Sequence, residues 1–184
     1  MEFSAGIIAY RHNKDNNGLE VMLSHSGGPY YESNERAWTI QKGRVEPHED
    51  EEYAARREFR EETGFPIYDK LRKLGTFKVS KNKIVAVYYI NKNLDASKAT
   101  SNLFEMEWPK DSGQICTFPE NDKAEWFGIE EAKEKVFFGQ VKILERLEED
   151  VKRFEEQSKH KKYIHKPNLN KGKKRKKKRH YVSY

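Results

Sequence analysis

Gly43-Arg-Val-Glu-Pro-His-Glu-Asp-Glu-Glu-Tyr-Ala-Ala-Arg-Arg-Glu-Phe-Arg-Glu-Glu-Thr-Gly-Phe65 is the stretch whose reading decides the fold. Asp50 stands before a run rich in Ala, Arg and Glu, which is where a short acceptor side chain caps a helix. Gly64 and Pro66 supply the stop, so the spacing predicts a helix over Asp50–Thr63. On that helix Glu58, Glu61 and Glu62 fall at i, i+3 and i+4 and share one face. Like charges at that spacing weaken a helix by a few tenths of a kcal/mol per pair, and a cation removes the penalty. Carboxylate oxygens clustered without His or Cys suit Mg²⁺, with Mn²⁺ as the alternative, better than zinc. Such an ion keeps waters, binds phosphate oxygens and lowers the pKa of a bound water. Gly43, a loop before the helix, permits a tight turn and close approach of a ligand. The plainer alternative is a solvated charged face, since the chain carries 30 Asp and Glu residues.

The spacing separates these readings. The stretch resembles the Nudix box, Gly-x5-Glu-x7-Arg-Glu-U-x-Glu-Glu-x-Gly-U with U bulky and apolar. Gly43, Glu49, Arg57, Glu58, Phe59, Glu61, Glu62, Gly64 and Phe65 occupy every defined position. With ordinary residue frequencies, a chance fit is on the order of one in a million. The resemblance implies an α/β (α+β) fold of the Nudix type, an α/β/α sandwich around a mixed sheet, with the box as loop–helix–loop. It also implies a metal set drawn from Gly43, Glu49, Glu58, Glu61 and Glu62, with one glutamate helping to activate water. Arg57 would orient a carboxylate through charge-assisted hydrogen bonds. Lys42 and Gly43 would meet substrate phosphate. Family members often recruit a further acid from a distant loop, for which Glu120 stands first, then Glu105 and Asp122. The implied reaction is hydrolysis of a pyrophosphate bond in a nucleoside diphosphate linked to another group.

The likeness continues outside the box. Ser4-Ala-Gly-Ile, His25-Ser-Gly-Gly-Pro, Trp38-Thr-Ile-Gln-Lys-Gly, Phe104-Glu-Met-Glu-Trp-Pro and Phe118-Pro-Glu-Asn-Asp-Lys-Ala-Glu-Trp-Phe resemble a branch holding diadenosine tetraphosphate hydrolases and MutT-like nucleoside triphosphate pyrophosphohydrolases. Gln41 departs from the Pro usual there, which is expected to loosen the loop leading into the box. Tyr88 and Tyr89 are candidates to stack on a base, although strand aromatics are more often core. Trp38 and Trp126 read as core or pocket wall, and His25 and His48 as loop residues without a metal role.

Around the box, Ser4–Arg11 reads as a buried strand, Asn13–Gly18 as a turn and Leu19–His25 as the antiparallel partner. Gly75–Ser80 and Ile84–Ile90 read as strands, Glu125–Phe127 as a short strand, and Asn91–Asp122 as irregular with a long loop. Ile129–Phe138 and Val141–Gln157 look helical; in the second, Ile143, Leu144, Leu147, Val151 and Phe154 recur at helical spacing and should pack on the body.

The net charge of +6 conceals two opposed parts. Of 36 Lys and Arg residues, 12 lie between Lys159 and Tyr184, which hold no Asp or Glu; the other 24 stand against 30 acidic residues. The body carries −6 and the tail +12, so basic nucleic-acid binding is not a property of the body. The expected organisation is a domain over 1–158 and a disordered basic tail over 159–184. The tail suits RNA or another polyanion held through counterion release, and a solubilising role is the plain alternative. It motivates two further readings: an RNA 5′-end pyrophosphohydrolase of the decapping kind, and a non-catalytic nucleotide or RNA binder. The three clustered glutamates argue against the second. No apolar run approaches the roughly 18 residues a membrane helix needs, and no secretory signal is visible. The lone Cys116 suits an intracellular protein. A cytoplasmic location is expected, or a nuclear one in a eukaryotic host. Oligomeric state is not legible.

Overall fold

A computed structural model describes residues 1–164, with side chains through Ser158. Met1–Asp150 forms one compact unit. Its elements run β1 (Glu2–His12), β2 (Leu19–Ser26), β3 (Trp38–Thr39), β4 (Gln41–Arg44), α1 (Glu51–Thr63), β5 (Arg72–Ser80), β6 (Lys83–Asn91), β7 (Leu103–Glu107), β8 (Ile115–Pro119), β9 (Asn121–Gly128), α2 (Ile129–Lys135) and the start of α3 (Val141–Ile164). A second unit begins at Val151, where α3 continues as helix. Lys171–His180, the densest part of the basic tail, lies outside the described residues.

The main sheet is mixed. Its order is β3-β2-β1-β6-β5, with β4 added to β1 and β9 to β2. β1 and β6 are parallel over their length, from Glu2↔Lys83 to Tyr10↔Asn91, and the other pairings are antiparallel. β1 changes neighbour along its length: Tyr10–His12 pair with β2, whereas Ser4–Ile7 pair with β4. That switch brings Lys42 opposite Gly6 and Gly43 opposite Ala5. Only glycine fits at Gly6, where a Cβ would lie 2.3 Å from the Gln41 carbonyl oxygen and 2.5 Å from the Lys42 Cβ.

Alternation along β1 sends its side chains into two layers. Ala5, Ile7 and Ala9 join Met22, Ala86 and Tyr88 against Ala54, Ala55 and Phe59 of α1. Ile8, Tyr10, Val21, Leu23, Val85, Val87 and Tyr89 supply the opposite face, and Tyr89 donates to Asp150 of α3. Ile143, Leu144 and Leu147 are fully buried, as their spacing predicts; Val151 is buried too, while Phe154 is exposed. The architecture is the expected α/β/α sandwich.

Three expectations need correction. Asn91–Asp122 contains the β7–β8 hairpin, a separate two-stranded sheet with register Leu103↔Pro119 to Glu107↔Ile115. The helix expected to reach Phe138 stops at Lys135; Val136 is extended, and the Phe137 N–H bonds to the Trp38 carbonyl. Gln41 does not loosen the approach to the box: it is fully buried in β4 and its Nε2 donates to Ser24 Oγ at 3.0 Å.

Candidate active site

The box folds as loop, helix, loop. The Asp50 carboxylate caps α1 by accepting from the backbone N–H of Glu52 and of Tyr53. At the other end Gly64 adopts the left-handed conformation (φ 76°) and donates to the Arg60 carbonyl. Ala54, Ala55, Phe59 and Thr63 are buried, so the small and aromatic box positions are the packing face. The charged positions lie on the flank that meets β4.

Arg57 organises that flank. Its Nε and Nη2 donate to the two Glu49 oxygens at 2.8 and 2.9 Å, a bidentate pair. Its Nη1 donates to Glu58 Oε1 at 2.7 Å and to Glu61 Oε2 at 3.1 Å, and Nη2 also reaches the Arg44 carbonyl at 2.9 Å. One planar guanidinium therefore ties three box carboxylates and the end of β4 together, which an ammonium has no fork to do. These bonds hold the Glu49 carboxyl below the usual range, and they raise the Arg57 pKa in turn.

Glu62 bonds to β4 rather than to Arg57. Its Oε2 accepts from the Lys42 backbone N–H at 2.7 Å, joining the last turn of α1 to β4. Burial pushes the Glu62 carboxyl up to about 8 against the pull of Lys42, and repulsion from Glu58 and Glu120 adds to the rise. Glu58 is raised as well, chiefly by burial and further by Glu61 and Glu120. Lys42 is lowered by burial, with Glu62 and Glu58 opposing. Glu61 and Glu120 thus stand close enough to Glu58, and Glu58 and Glu120 close enough to Glu62, to disfavour the charge of those two carboxyls.

Gly43 completes the set. A Cβ there would fall 1.8 Å from Glu58 Oε2 and 2.0 Å from its Cδ, so the glycine is the space the Glu58 carboxylate occupies. Among the described residues, no group of three His, Cys, Asp or Glu side chains is already arranged around a metal position. Arg57 takes oxygens of Glu49, Glu58 and Glu61, and the Lys42 backbone N–H takes one of Glu62. The donor set itself fits a hard divalent ion, being carboxylate oxygen that is partly desolvated and mutually repelling. Glu58, Glu61 and Glu62 would hold it, with Arg57 fixing the first two.

The other sequence candidates separate. Glu120 is exposed, with its backbone N–H bonded to the Asn102 carbonyl and its own carbonyl accepting from Gly27, and it acts electrostatically on Glu58 and Glu62. Glu105 is exposed on the β7–β8 hairpin. Asp122 accepts from or pairs with His25 Nδ1 at 2.9 Å, and His25 Nε2 lies 3.2 Å from the Asn34 carbonyl. His25 is thus a buried strand residue that ties the loop after β2 to β9, not a loop residue. Its place after Val21 and Leu23 on a period of two was the available signal. Tyr88 is 5 % exposed within the α1-facing core, and its hydroxyl donates to Glu51 Oε1 at 2.7 Å. That leaves no open ring face for a base, so the structure corrects its place as a substrate contact. Trp38 packs edge-on to Phe127 with centroids 4.6 Å apart, and Trp126 lies under the Arg11 guanidinium at 4.2 Å.

A mixed-sheet sandwich in which loop–helix–loop delivers an arginine-tied carboxylate set to a strand glycine defines a Nudix-type protein. The NUDIX domain family model matches residues 3–147, and the chain belongs to that family. Among solved structures, it is similar to an Ap4A hydrolase of C. elegans in a binary complex (22 % identity, TM-score 0.56, covering 82 % of this chain and 98 % of that one). It is also similar to a mutT/nudix family protein of Listeria innocua (18 %, TM-score 0.57, 83 % and 94 %). A third is the NUDIX domain of Shewanella oneidensis NrtR complexed with ADP ribose (13 %, TM-score 0.57, 82 % and 88 %). No curated protein sequence matches the chain.

Proposed function

We propose that this protein is a divalent-metal-dependent hydrolase that cleaves a pyrophosphate bond in a dinucleoside polyphosphate or nucleoside triphosphate by attack of water at phosphorus. The observation that carries the reading is the Arg57-centred set: Glu49, Glu58 and Glu61 on one guanidinium, with Glu62 and Glu120 beside them. Mg²⁺ or Mn²⁺, when bound, would supply the charge that offsets these carboxylates and the developing charge on the leaving phosphate.

The chain's own residues do the rest. Arg57 fixes Glu58 and Glu61 so that their oxygens need not be ordered during the reaction, which lowers the reorganisation the site must undergo. Gly43 leaves room for the Glu58 carboxylate against the β4 backbone. One of the box glutamates would take up the proton of the attacking water. Lys42, half-buried beside Glu62, would meet a substrate phosphate. Similarity to proteins named for Ap4A hydrolysis or seen with ADP ribose favours a nucleoside diphosphate as the shared element. The 12 Lys and Arg residues from Lys159 onward favour a second reading, in which that element is an RNA 5′ end brought in by the tail.

A panel of nucleoside triphosphates, diadenosine polyphosphates, ADP-ribose and 5′-triphosphorylated RNA, incubated with Mg²⁺ and resolved by product, tests the proposal. Mg²⁺-dependent release of a mononucleotide from a diadenosine polyphosphate or of pyrophosphate from a triphosphate is expected. Inertness toward the entire panel contradicts it. A truncation at Ser158 that binds RNA at low salt as well as the full chain removes the second reading.

A further inference from the structure

The exposed flank of α1 carries a feature that adjoins the carboxylate cluster and extends beyond it. A groove of about 480 Å³ runs beside the helix, with Arg57 and Glu61 among its lining residues. Two aromatic side chains stand over it largely in solvent, Tyr53 at 65 % and Tyr68 at 86 % exposure. The two other arginines of the groove differ. Arg56 is committed to Glu52 and to the carbonyls of Ile67 and Asp69. Arg60 is exposed, and no ion pair holds it among the described residues.

Both tyrosine rings are open to a ligand approaching the groove. Paired with an uncommitted guanidinium they form the combination that binds a base by stacking and its phosphate by charge. The groove shares Arg57 and Glu61 with the cluster, so a phosphate chain leaving the cluster is led toward Arg60. We propose that this groove is a binding subsite for a nucleotide, its base against Tyr68 and Tyr53 and its phosphate on Arg60. It would hold the portion of the substrate beyond the scissile pyrophosphate, and in that respect the inference rests on the proposed hydrolysis. That nucleotide can be the second half of a dinucleoside polyphosphate or the first residue of an RNA end; the chemistry is the same.

The test uses the full chain in EDTA, where turnover is absent, with AMP as probe and titration calorimetry as readout. Tyr68→Ala is expected to weaken AMP binding about tenfold, the range of one lost base stack. Arg60→Ala is expected to weaken AMP about fivefold while leaving adenosine unchanged, the pattern of a lost phosphate contact. Both residues are exposed, so unchanged thermal midpoints should accompany these losses. Equal AMP affinity in all three proteins, or no binding by the wild type at millimolar AMP, overturns the inference. Steady-state arms with Mg²⁺ then separate the sources. In Tyr68→Ala, a raised KM for a diadenosine polyphosphate alone assigns the groove to a free dinucleotide, and a raised KM for 5′-triphosphorylated RNA alone assigns it to an RNA end. Unchanged KM for both overturns the substrate assignment. A protein that binds AMP in the groove yet cleaves nothing keeps the subsite and sinks the hydrolase. One that cleaves with indifference to Tyr68 and Arg60 does the reverse.

Discussion

Replacing Gly43 by Ala adds one methyl group at the point where β4 meets α1, and the structure sets the size of the effect. The new Cβ would sit 1.8 Å from Glu58 Oε2, where ordinary contact begins near 3.4 Å, so the carboxylate must retreat by about 1.6 Å. Glu58 can do so because its carboxylate is the free end of a flexible side chain. The retreat breaks the 2.7 Å bond from Arg57 Nη1. A hydrogen bond to a charged group is worth about 1.5–3 kcal/mol, and partial exposure of Arg57 reduces it to about 1–2. Ala in place of Gly in a strand returns about 0.5–1 kcal/mol. The net cost is about 1 kcal/mol, a fall of roughly 2–4 °C in Tm for a chain of this length. Catalysis should suffer far more, because displacing a reacting group by about 1 Å costs on the order of 10²-fold. Circular-dichroism melting and a Mg²⁺-dependent turnover assay on one preparation measure both. A folded Gly43→Ala protein with turnover within a few-fold of wild type refutes the reasoning, since the Glu58 position would then not matter.

Three further outcomes follow from the same geometry. Glu61→Gln, which removes the charge from one 3.1 Å contact at a partly exposed site, should leave stability within about 1 kcal/mol of wild type while lowering kcat by more than about 10²-fold; wild-type kcat would remove Glu61 from the metal set. In EDTA, the Glu62 carboxyl holds its proton in the folded state up to about 8 but only to 4.5 when unfolded, so its contribution to stability falls as pH rises through that window. Glu62→Gln should therefore flatten the decline in denaturation midpoint between those pH values, and an unchanged slope would refute the burial of that charge. Gly6→Ala meets backbone rather than a movable side chain, at 2.3 Å from the Gln41 carbonyl oxygen; it should reduce soluble yield and melting midpoint sharply, and a normal melt would mean that the β1–β4 register is not as described.

The box was legible because its positions are fixed twice over. Ala54, Ala55 and Phe59 must pack inward, Gly64 must take a left-handed turn, and the carboxylates must share the remaining flank. Each requirement leaves a residue type at a spacing. What escaped notice has no such signature. β7 and β8 alternate half-buried and exposed positions, and Leu103 and Ile115 point outward, so their pattern carries little of the period that a core imposes. Tyr88 could not be placed because β6 is buried along most of its length, and continuous burial erases the alternation that separates a core face from an open one. Lys42–Glu62 joins residues 20 apart through a backbone N–H, which no side-chain pattern records. Arg57 was expected to orient one carboxylate and instead ties three, because the box spacing specifies which residues are near and not how a guanidinium shares its five protons among them.

The most direct measurement of the central claim is hydrolysis of a diadenosine polyphosphate in ¹⁸O-labelled water, with products weighed by mass spectrometry, using wild type with Mg²⁺, wild type with EDTA, and Glu61→Gln with Mg²⁺. If the carboxylates around Arg57 hold the ion that directs water onto phosphorus, wild type with Mg²⁺ yields a mononucleotide product set with one ¹⁸O on a phosphate, and the other two reactions yield almost none. Label appearing at the same rate in EDTA or in Glu61→Gln contradicts the claim.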